Sequence, residues 1–189
     1  MKNVSTRRRP TPTAGLELDP AFAVWLTGLS GSGKSAIAKA LLGELHGRGV
    51  DVAVLESDVL RTQLTPFPRY DEDERDYFYK TLAHLGAYLA QHGTPVVFDA
   101  TANKRTYREA ARRDIARFAE VFVDTPIEVC AARDPKGLYR KKKTTTLPGV
   151  QAPYEPPLAP DLVVRGDQGT PQQAAKAIVE LLERRAWLA

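Results

Sequence analysis

An eight-residue segment, Gly28-Leu29-Ser30-Gly31-Ser32-Gly33-Lys34-Ser35, has the glycines, lysine and hydroxyl of a phosphate-binding loop (P-loop) at the required spacing. Its glycines permit backbone conformations closed to residues with a Cβ, so successive N–H groups can converge on phosphate oxygens. Lys34 is expected to bridge the β- and γ-phosphates of ATP, and the Ser35 hydroxyl to bind Mg²⁺. A Gly/Ser-rich turn without chemistry is the alternative. The residues predicted to contact the nucleotide here are Gly28, Ser30, Gly31, Ser32, Gly33, Lys34 and Ser35.

The segments on either side of the P-loop predict a strand before it and a helix after it. The strand covers about residues 23–26, and the helix runs from Lys34 to about His46, where Gly47 follows. A helix that begins at the loop adds the positive end of its dipole at the phosphate site. The order strand, loop, helix therefore favours nucleotide binding.

A second apolar run, residues 52–55, is typical of a strand buried in a parallel sheet, and Glu56, Asp58 and Arg61 follow it. Open α/β folds bind ligands at the carboxyl edge of the sheet, where these side chains would lie. Asp58 is a candidate for holding Mg²⁺ or for accepting the proton of a substrate hydroxyl, with Glu56 in support. Arg61 is a candidate anion-binding residue. The alternative is a helix cap at Ser57 or Asp58 beside a solvated arginine.

Asp99 follows a third apolar run, residues 95–98, and is a candidate for supporting the metal or orienting the nucleophile beside the P-loop. A structural cap is an equally good interpretation of this residue. A long helix from about Asp73 to Gln91 precedes the run, and Arg75 near its start can face the same cleft.

Five predicted strands alternate with helices, which indicates an α/β fold: the P-loop NTPase fold, with a five-stranded parallel sheet covered by helices on both faces. Residues 134–160 are rich in Lys, Arg, Pro, Gly and Thr and too long for a connector, so they predict a mobile lid over the bound phosphates. The other predicted elements are strands at 120–124 and 161–164 and helices at about 104–118, 127–133 and 171–187, with the arginines of 104–118 mostly on a solvated face.

The composition, with 43% hydrophobic and 26% charged residues among 189, is typical of a soluble globular protein. We predict a disordered leader at residues 1–20 and a single P-loop domain at 21–189. The net charge of +4 suits small polyanionic substrates. One cysteine, Cys130, excludes a disulfide framework and is expected to be buried rather than reactive. With no run long enough to span a membrane and no signal-like N-terminus, a cytoplasmic location is expected.

From the P-loop to the lid the sequence resembles the adenylylsulfate (APS) kinase family. The resemblance spans roughly residues 22–165 and rests on the segments 25–35, 120–124, Cys130, Arg133-Asp134-Pro135-Lys136-Gly137-Leu138-Tyr139 and Pro153-Tyr154-Glu155-Pro156-Pro157. The last two segments are specific to this family. It implies a kinase that transfers the γ-phosphate of ATP to the 3′-hydroxyl of adenosine 5′-phosphosulfate, giving PAPS for sulfate assimilation, and that can form a homodimer.

The same resemblance assigns roles to individual residues. Asp58 matches the second acid of the family's Asp-Gly-Asp element, and Arg133 lies where a side chain flanks the ATP base. Together, the local patterns and the resemblance predict Lys34 and Asp58 as catalytic residues and Ser35 and Asp58 as metal ligands. The predicted acceptor-side residues are Glu56, Arg61, Arg75, Asp99, Lys136, Lys142 and Leu147.

The sequence departs from the family pattern on the acceptor side. Phe78 stands where the family has an asparagine that contacts APS, residues 101–103 replace its Ile-Ser-Pro element, and Leu147 replaces an aromatic residue that stacks on the substrate adenine. The ATP side keeps its residues. The sequence therefore indicates the phosphoryl donor more firmly than the acceptor.

Two other functions stay open at this point. One is an APS-kinase-like enzyme that phosphorylates a different nucleotide or a small hydroxyl compound. The other is a nucleotide-dependent switch or a nucleic-acid-associated P-loop protein, supported by Arg7-Arg8-Arg9 and by the arginine-rich helix after Asn103. The main interpretation expects neither nucleic acid nor a membrane as a partner.

Overall fold

A five-stranded, entirely parallel β-sheet lies at the centre of the molecule. The computed structural model describes residues 19–65, 67–69, 71–140 and 147–188. Its strands are β1 (Phe22–Thr27), β2 (Ala53–Glu56), β3 (Val96–Asp99), β4 (Arg117–Asp124) and β5 (Leu162–Arg165). Its helices are α1 (Lys34–His46), α2 (Ser57–Leu64), α3 (Glu72–Gln91), α4 (Arg105–Asp114), α5 (Ile127–Arg133) and α6 (Pro171–Arg184). The strand order is β2-β3-β1-β4-β5, which confirms the predicted parallel sheet.

Helices cover both faces of this sheet, and β1 is buried along its whole length. Successive residues of a strand point to opposite faces, so Trp25 belongs to the hydrophobic cluster under α3 and α4. Val24 and Leu26 belong to the cluster under α1 and α6. Trp25 stacks on Phe98 of β3 with ring centroids 4.3 Å apart. Burial on both faces explains why the sequences of the central strands are continuous apolar runs.

The register of the sheet brings the ends of three strands together. Asp99 at the end of β3 lies opposite Leu26 of β1 and opposite Glu56 of β2. The P-loop follows β1 directly, so it begins at the same edge. Strand pairing alone therefore places Asp99 beside the start of the phosphate-binding loop, with Glu56 one strand further away.

The structure corrects two predicted boundaries and adds a helix. The basic helix was expected to reach Phe118 but ends at Asp114, because Ile115 is extended and Phe118 packs into the core as part of β4. The last helix ends at Arg184 rather than near Trp187. Helix α2 was anticipated only in the alternative interpretation, as a helix capped at Ser57 or Asp58, since its eight residues contain no buried side chain.

Other expectations have simple outcomes. Cys130 is buried, as predicted, and burial raises the pKa of its thiol. Residues 1–18, most of the predicted leader, lie outside the described residues. Within the part of the chain that the structure describes, no helix has the length and apolarity needed to cross a lipid bilayer.

Asp161, just before β5, joins three parts of the fold. Its carboxylate accepts hydrogen bonds from Arg112 at 2.7 Å, from Arg185 at 2.5 Å and from the Glu120 N–H at 2.7 Å. Burial alone raises the pKa of Asp161, but these three donors outweigh it and hold the pKa below its usual range. The group therefore stabilises the fold wherever the carboxylate is ionised.

We expect Asp161→Asn to lower the free energy of unfolding at pH 7 by about 2 kcal/mol, since charge-assisted hydrogen bonds are lost. Because the folded-state pKa is depressed, this contribution is complete above about pH 5 and disappears as the pH falls through the folded-state value. Urea denaturation at pH 7 and at about pH 2.5, well below the usual pKa of a carboxyl group, measures both effects. Asp114→Asn, which removes only an exposed pair with Arg113, is the control and should change stability much less. An equal effect of Asp161→Asn at both pH values would contradict the assignment.

Candidate active site

The P-loop has the conformation that its glycines predict. Gly31 has φ +79° and Gly33 has φ +107°, both in the left-handed region. A Cβ on Gly31 would lie 2.7 Å from the carbonyl oxygen of Cys130, so neither the backbone nor the neighbouring helix leaves room for a side chain. Helix α1 begins at Lys34, and its N-terminus faces the cleft with the loop. This arrangement can bind a phosphate chain.

Lys34 is buried and held by its own loop. Its Nζ donates to the carbonyl oxygens of Gly28 at 3.0 Å and Leu29 at 2.9 Å. Burial lowers the pKa of Lys34 to about 8, opposed first by the negative charge of Asp99 and less strongly by that of Asp58. The lysine is thus fixed beside the loop, and a polyphosphate arriving there would favour its charged form.

Donors from three later segments hold the outward-facing carbonyls of the P-loop. Thr125 donates through Oγ1 to Ser32 O at 3.0 Å, and the Tyr139 hydroxyl donates to Ser30 O at 2.8 Å. Arg133 donates to the carbonyl oxygens of Gly31 at 3.4 Å and Gly166 at 2.9 Å. These bonds hold the loop by its carbonyl groups in the conformation that its glycines permit. The roles of Thr125 and Tyr139 carry no local sequence signal and were not predicted.

A cleft of about 800 Å³ runs from the P-loop to the start of α3. The predicted residues that line it are Ser30, Gly31, Gly33, Lys34, Ser35, Asp58, Arg61, Arg75, Asp99, Arg133, Lys136 and Leu147. Gly28 and Ser32 belong to the loop but do not line the cleft, and neither does Glu56, which occupies the N-cap position of α2. Lys142 lies outside the described residues. Tyr79 and Asn103 also line the cleft, although neither was predicted as a site residue.

The two candidate acids occupy different environments. Asp58 is on the first turn of α2, has a side chain 62% exposed and forms an ion pair with Lys136 of the lid. Asp99 is only 6% exposed and lies at the end of β3. Asp58 is therefore the more accessible of the two carboxylates, whereas Asp99 lies within the wall of the cleft.

Arg61 of α2 is held from two directions. It donates to Glu74 at 2.8 Å, and its guanidinium lies 4.0 Å above the centre of the Phe78 ring. Phe78 is fully buried and is not among the residues lining the cleft. The phenylalanine that departs from the family pattern therefore supports an arginine, and Arg61 and Arg75 form the cationic wall.

Few protein groups are available to hold a metal ion. No cluster of three or more His, Cys, Asp or Glu side chains suited to a metal occurs among the described residues. Ser35, Asp58 and Asp99 nevertheless present oxygen atoms to one cleft beside the P-loop. This donor set fits Mg²⁺, which takes one or two protein oxygens and completes its shell with phosphate oxygens and water.

The parallel sheet, the glycine-rich loop that leads into α1 and the cleft lined by Lys34, Arg133 and Lys136 define a P-loop kinase. The family model described as adenylylsulphate kinase matches residues 20–165, and the chain belongs to this family. The adenylyl-sulfate kinase of Microcystis aeruginosa (strain NIES-843) is 37% identical over 158 residues, covering 82% of this chain and 87% of that protein. That of Rippkaea orientalis is 37% identical over 169 residues, covering 88% and 93%.

Solved structures agree with this assignment. The Mycobacterium tuberculosis APS kinase CysC, in complex with AMPPNP and APS, has a TM-score of 0.80 and 36% identity, covering 87% of this chain and 98% of that one. A gluconokinase from Sinorhizobium meliloti, 20% identical with a TM-score of 0.58 over 90% of this chain and 98% of its own, shares the fold. The predicted P-loop fold and family are confirmed.

We expect Gly31→Ala to abolish detectable ATP binding and to destabilise the fold by about 1–3 kcal/mol, because a Cβ would require strained backbone and meet Cys130 O. Gly43→Ala, inside α1 with no atom within 4 Å of the added Cβ, is the matched control. It should raise stability by about 0.5–1 kcal/mol and leave ATP affinity unchanged. Calorimetric titration with ATP and thermal unfolding of both variants provide the comparison. Normal ATP affinity in Gly31→Ala would contradict the role given to this loop.

Proposed function

We propose that this chain is an adenylyl-sulfate kinase: it transfers the γ-phosphate of ATP to the 3′-hydroxyl of adenosine 5′-phosphosulfate, producing PAPS and ADP. The observation that carries the proposal is that one cleft joins the P-loop lysine to Asp58 and to the arginines of the acceptor side. Family membership over residues 20–165 supports the same substrate pair.

On the donor side, the loop amides and Lys34 would hold the β- and γ-phosphates. Arg133, which lies on the rim between Gly31 and Gly166, would flank the ATP base. Ser35 and Asp58, with Asp99 behind them, would hold Mg²⁺. When bound, this ion neutralises charge on the phosphate oxygens.

On the acceptor side, Arg61 and Arg75 would bind the anionic phosphosulfate group. The 3′-hydroxyl oxygen then attacks the γ-phosphorus in line, a new P–O bond forms, and the bond to the β,γ-bridging oxygen breaks as ADP leaves. The hydroxyl proton passes to the Asp58 carboxylate and from there to solvent. Lys34 stabilises the transferring phosphoryl group throughout.

The lid would exclude water from this transfer. Its first turn is shaped by Asp134, whose carboxylate accepts from the backbone N–H groups of Tyr139 and Arg140 at 3.2 and 3.3 Å. Gly149 packs so closely on the P-loop that a Cβ there would lie 2.6 Å from a methyl group of Leu29. The ion pair between Lys136 and Asp58 links the lid to the acceptor side. These contacts between the lid, the P-loop and Asp58 support the proposal that the lid closes over the bound substrates.

A cytoplasmic location and a homodimer also belong to the proposal, as implied by the family resemblance. Sedimentation of the purified protein tests whether it forms the homodimer.

An assay that couples ADP release to NADH oxidation, run with APS and with a panel of nucleosides, nucleotides and sugars, tests the substrate assignment. We expect saturable, Mg²⁺-dependent ADP release with APS alone. Selective turnover of another hydroxyl compound would overturn the assignment of APS while leaving the kinase class intact.

Two substitutions test the machinery. Lys34→Ala should abolish turnover, and Asp58→Asn should lower kcat by about 10²–10⁴-fold while ATP still binds, since the general base is lost. Asp51→Asn, at a carboxylate that is 97% exposed, is the control and should leave kcat unchanged. Near-normal turnover by Asp58→Asn would show that this acid has been wrongly assigned.

A further inference from the structure

The side-chain oxygen of Asn103, in the loop between β3 and α4, is buried without a partner. Asn103 is 5% exposed, and none of the described residues donates a hydrogen bond to its Oδ1. Buried polar atoms are nearly always hydrogen-bonded in folded proteins. Asn103 also lines the cleft, which suggests that its missing donor belongs to a molecule bound there.

The orientation of this amide follows from its contacts. Its Nδ2 donates to the carbonyl oxygen of Pro153 at 3.1 Å. Since a carbonyl can only accept, the amide nitrogen must face Pro153 and Oδ1 must face away from it. The backbone carbonyl of Asn103 also accepts from the Glu155 N–H at 2.8 Å. Asn103 is thus anchored to Pro153 and Glu155, and its Oδ1 atom has no partner among the described residues.

A buried arginine fixes the loop around Asn103. Arg108 is 1% exposed and donates to the backbone carbonyls of Ala102, of Lys104 at 3.3 Å and of Glu155 at 2.7 Å. The Ala102 N–H donates to the Tyr79 hydroxyl at 3.1 Å. The loop and the end of the lid are therefore bound to one cation. This support makes Oδ1 a preorganised acceptor rather than a freely rotating one.

The surroundings of Asn103 indicate what kind of donor it meets. Leu147, an apolar residue that lines the cleft, begins the turn that leads into Pro153. Its N–H is already bound by Gln151 Oε1 at 3.0 Å, so this part of the wall offers no competing backbone donor at that position. A cleft lined by an apolar side chain and by a fixed acceptor without a donor suits a flat nucleobase that carries an amino group on its edge.

Building on the proposed function, we propose that Asn103 determines base specificity on the acceptor side: Oδ1 accepts a hydrogen bond from the 6-amino group of the adenine of APS. A base with a carbonyl at this position would set two acceptors against each other and leave Oδ1 unsatisfied. Sites built to hydrogen-bond a substrate group discriminate strongly against analogues that lack it.

The test compares kcat/KM for APS and for inosine 5′-phosphosulfate, in which a carbonyl replaces the amino group, at saturating ATP. We expect the wild-type protein to prefer APS by about 10–100-fold, the range of one hydrogen bond with an orphaned partner. Asn103→Leu should lose most of its activity toward APS, change little toward the inosine compound and keep its KM for ATP. The ratio of kcat/KM for APS to kcat/KM for the inosine compound should therefore fall close to one. Asn103→Ser serves the same purpose if the leucine variant does not fold.

Arg105→Ala is the matched control. Arg105 donates to the Pro156 carbonyl at 3.2 Å and so anchors the same segment, but it is not among the residues lining the cleft. It should leave the substrate ratio unchanged. If Asn103→Leu lowers kcat/KM equally for both substrates, the role of Asn103 is structural only and the inference is overturned. Equal kcat/KM values of the wild-type enzyme for the two substrates would also overturn it. Failure of the wild-type protein to use APS at all would instead overturn the proposed function, and with it this inference.

Discussion

The site depends on the buried ammonium group of Lys34, because a charge taken out of water must be compensated where it lies. The P-loop supplies this compensation through the carbonyl oxygens of Gly28 and Leu29. The sheet supplies the rest, since parallel pairing sets Asp99 opposite Leu26, two residues before the loop begins. The same strand register that builds the core therefore also places a carboxylate within the electrostatic reach of the lysine.

The rest of the site is arranged around this fixed centre in two layers. Behind the loop, Thr125, Arg133 and Tyr139 bind its outward carbonyls, so the loop cannot turn these groups toward a bound anion. In front of it, Asp58 and Lys136 line the cleft and form an ion pair between two different segments. Tyr139 and Lys136 both belong to the lid. The segment that follows α5 is thus connected to the P-loop and to α2 at once.

Much of the fold followed from local patterns. Helices α1 and α5 begin and end at the predicted residues, because a glycine loop or a polar flank bounds an apolar stretch in each case. Prediction failed where local pattern and tertiary packing disagree. Arg108 belongs to a helix expected to be mostly solvated, yet it is buried, since its partners Ala102, Glu120 and Glu155 lie 6, 12 and 47 residues away. Distances of this kind leave no periodic signal in a sequence.

By itself, the sequence determined the phosphate-binding loop, the parallel α/β fold and the family, because these depend on residue types at short, fixed spacings. Only the tertiary structure decided how the rest of the cleft is built. It buried Phe78 beneath Arg61, paired Asp58 with a lysine 78 residues away and left Asn103 with an unused acceptor at the wall of the cleft. The reason is physical: burial and pairing of a side chain depend on which distant segments pack beside it, and adjacent residues do not encode that proximity.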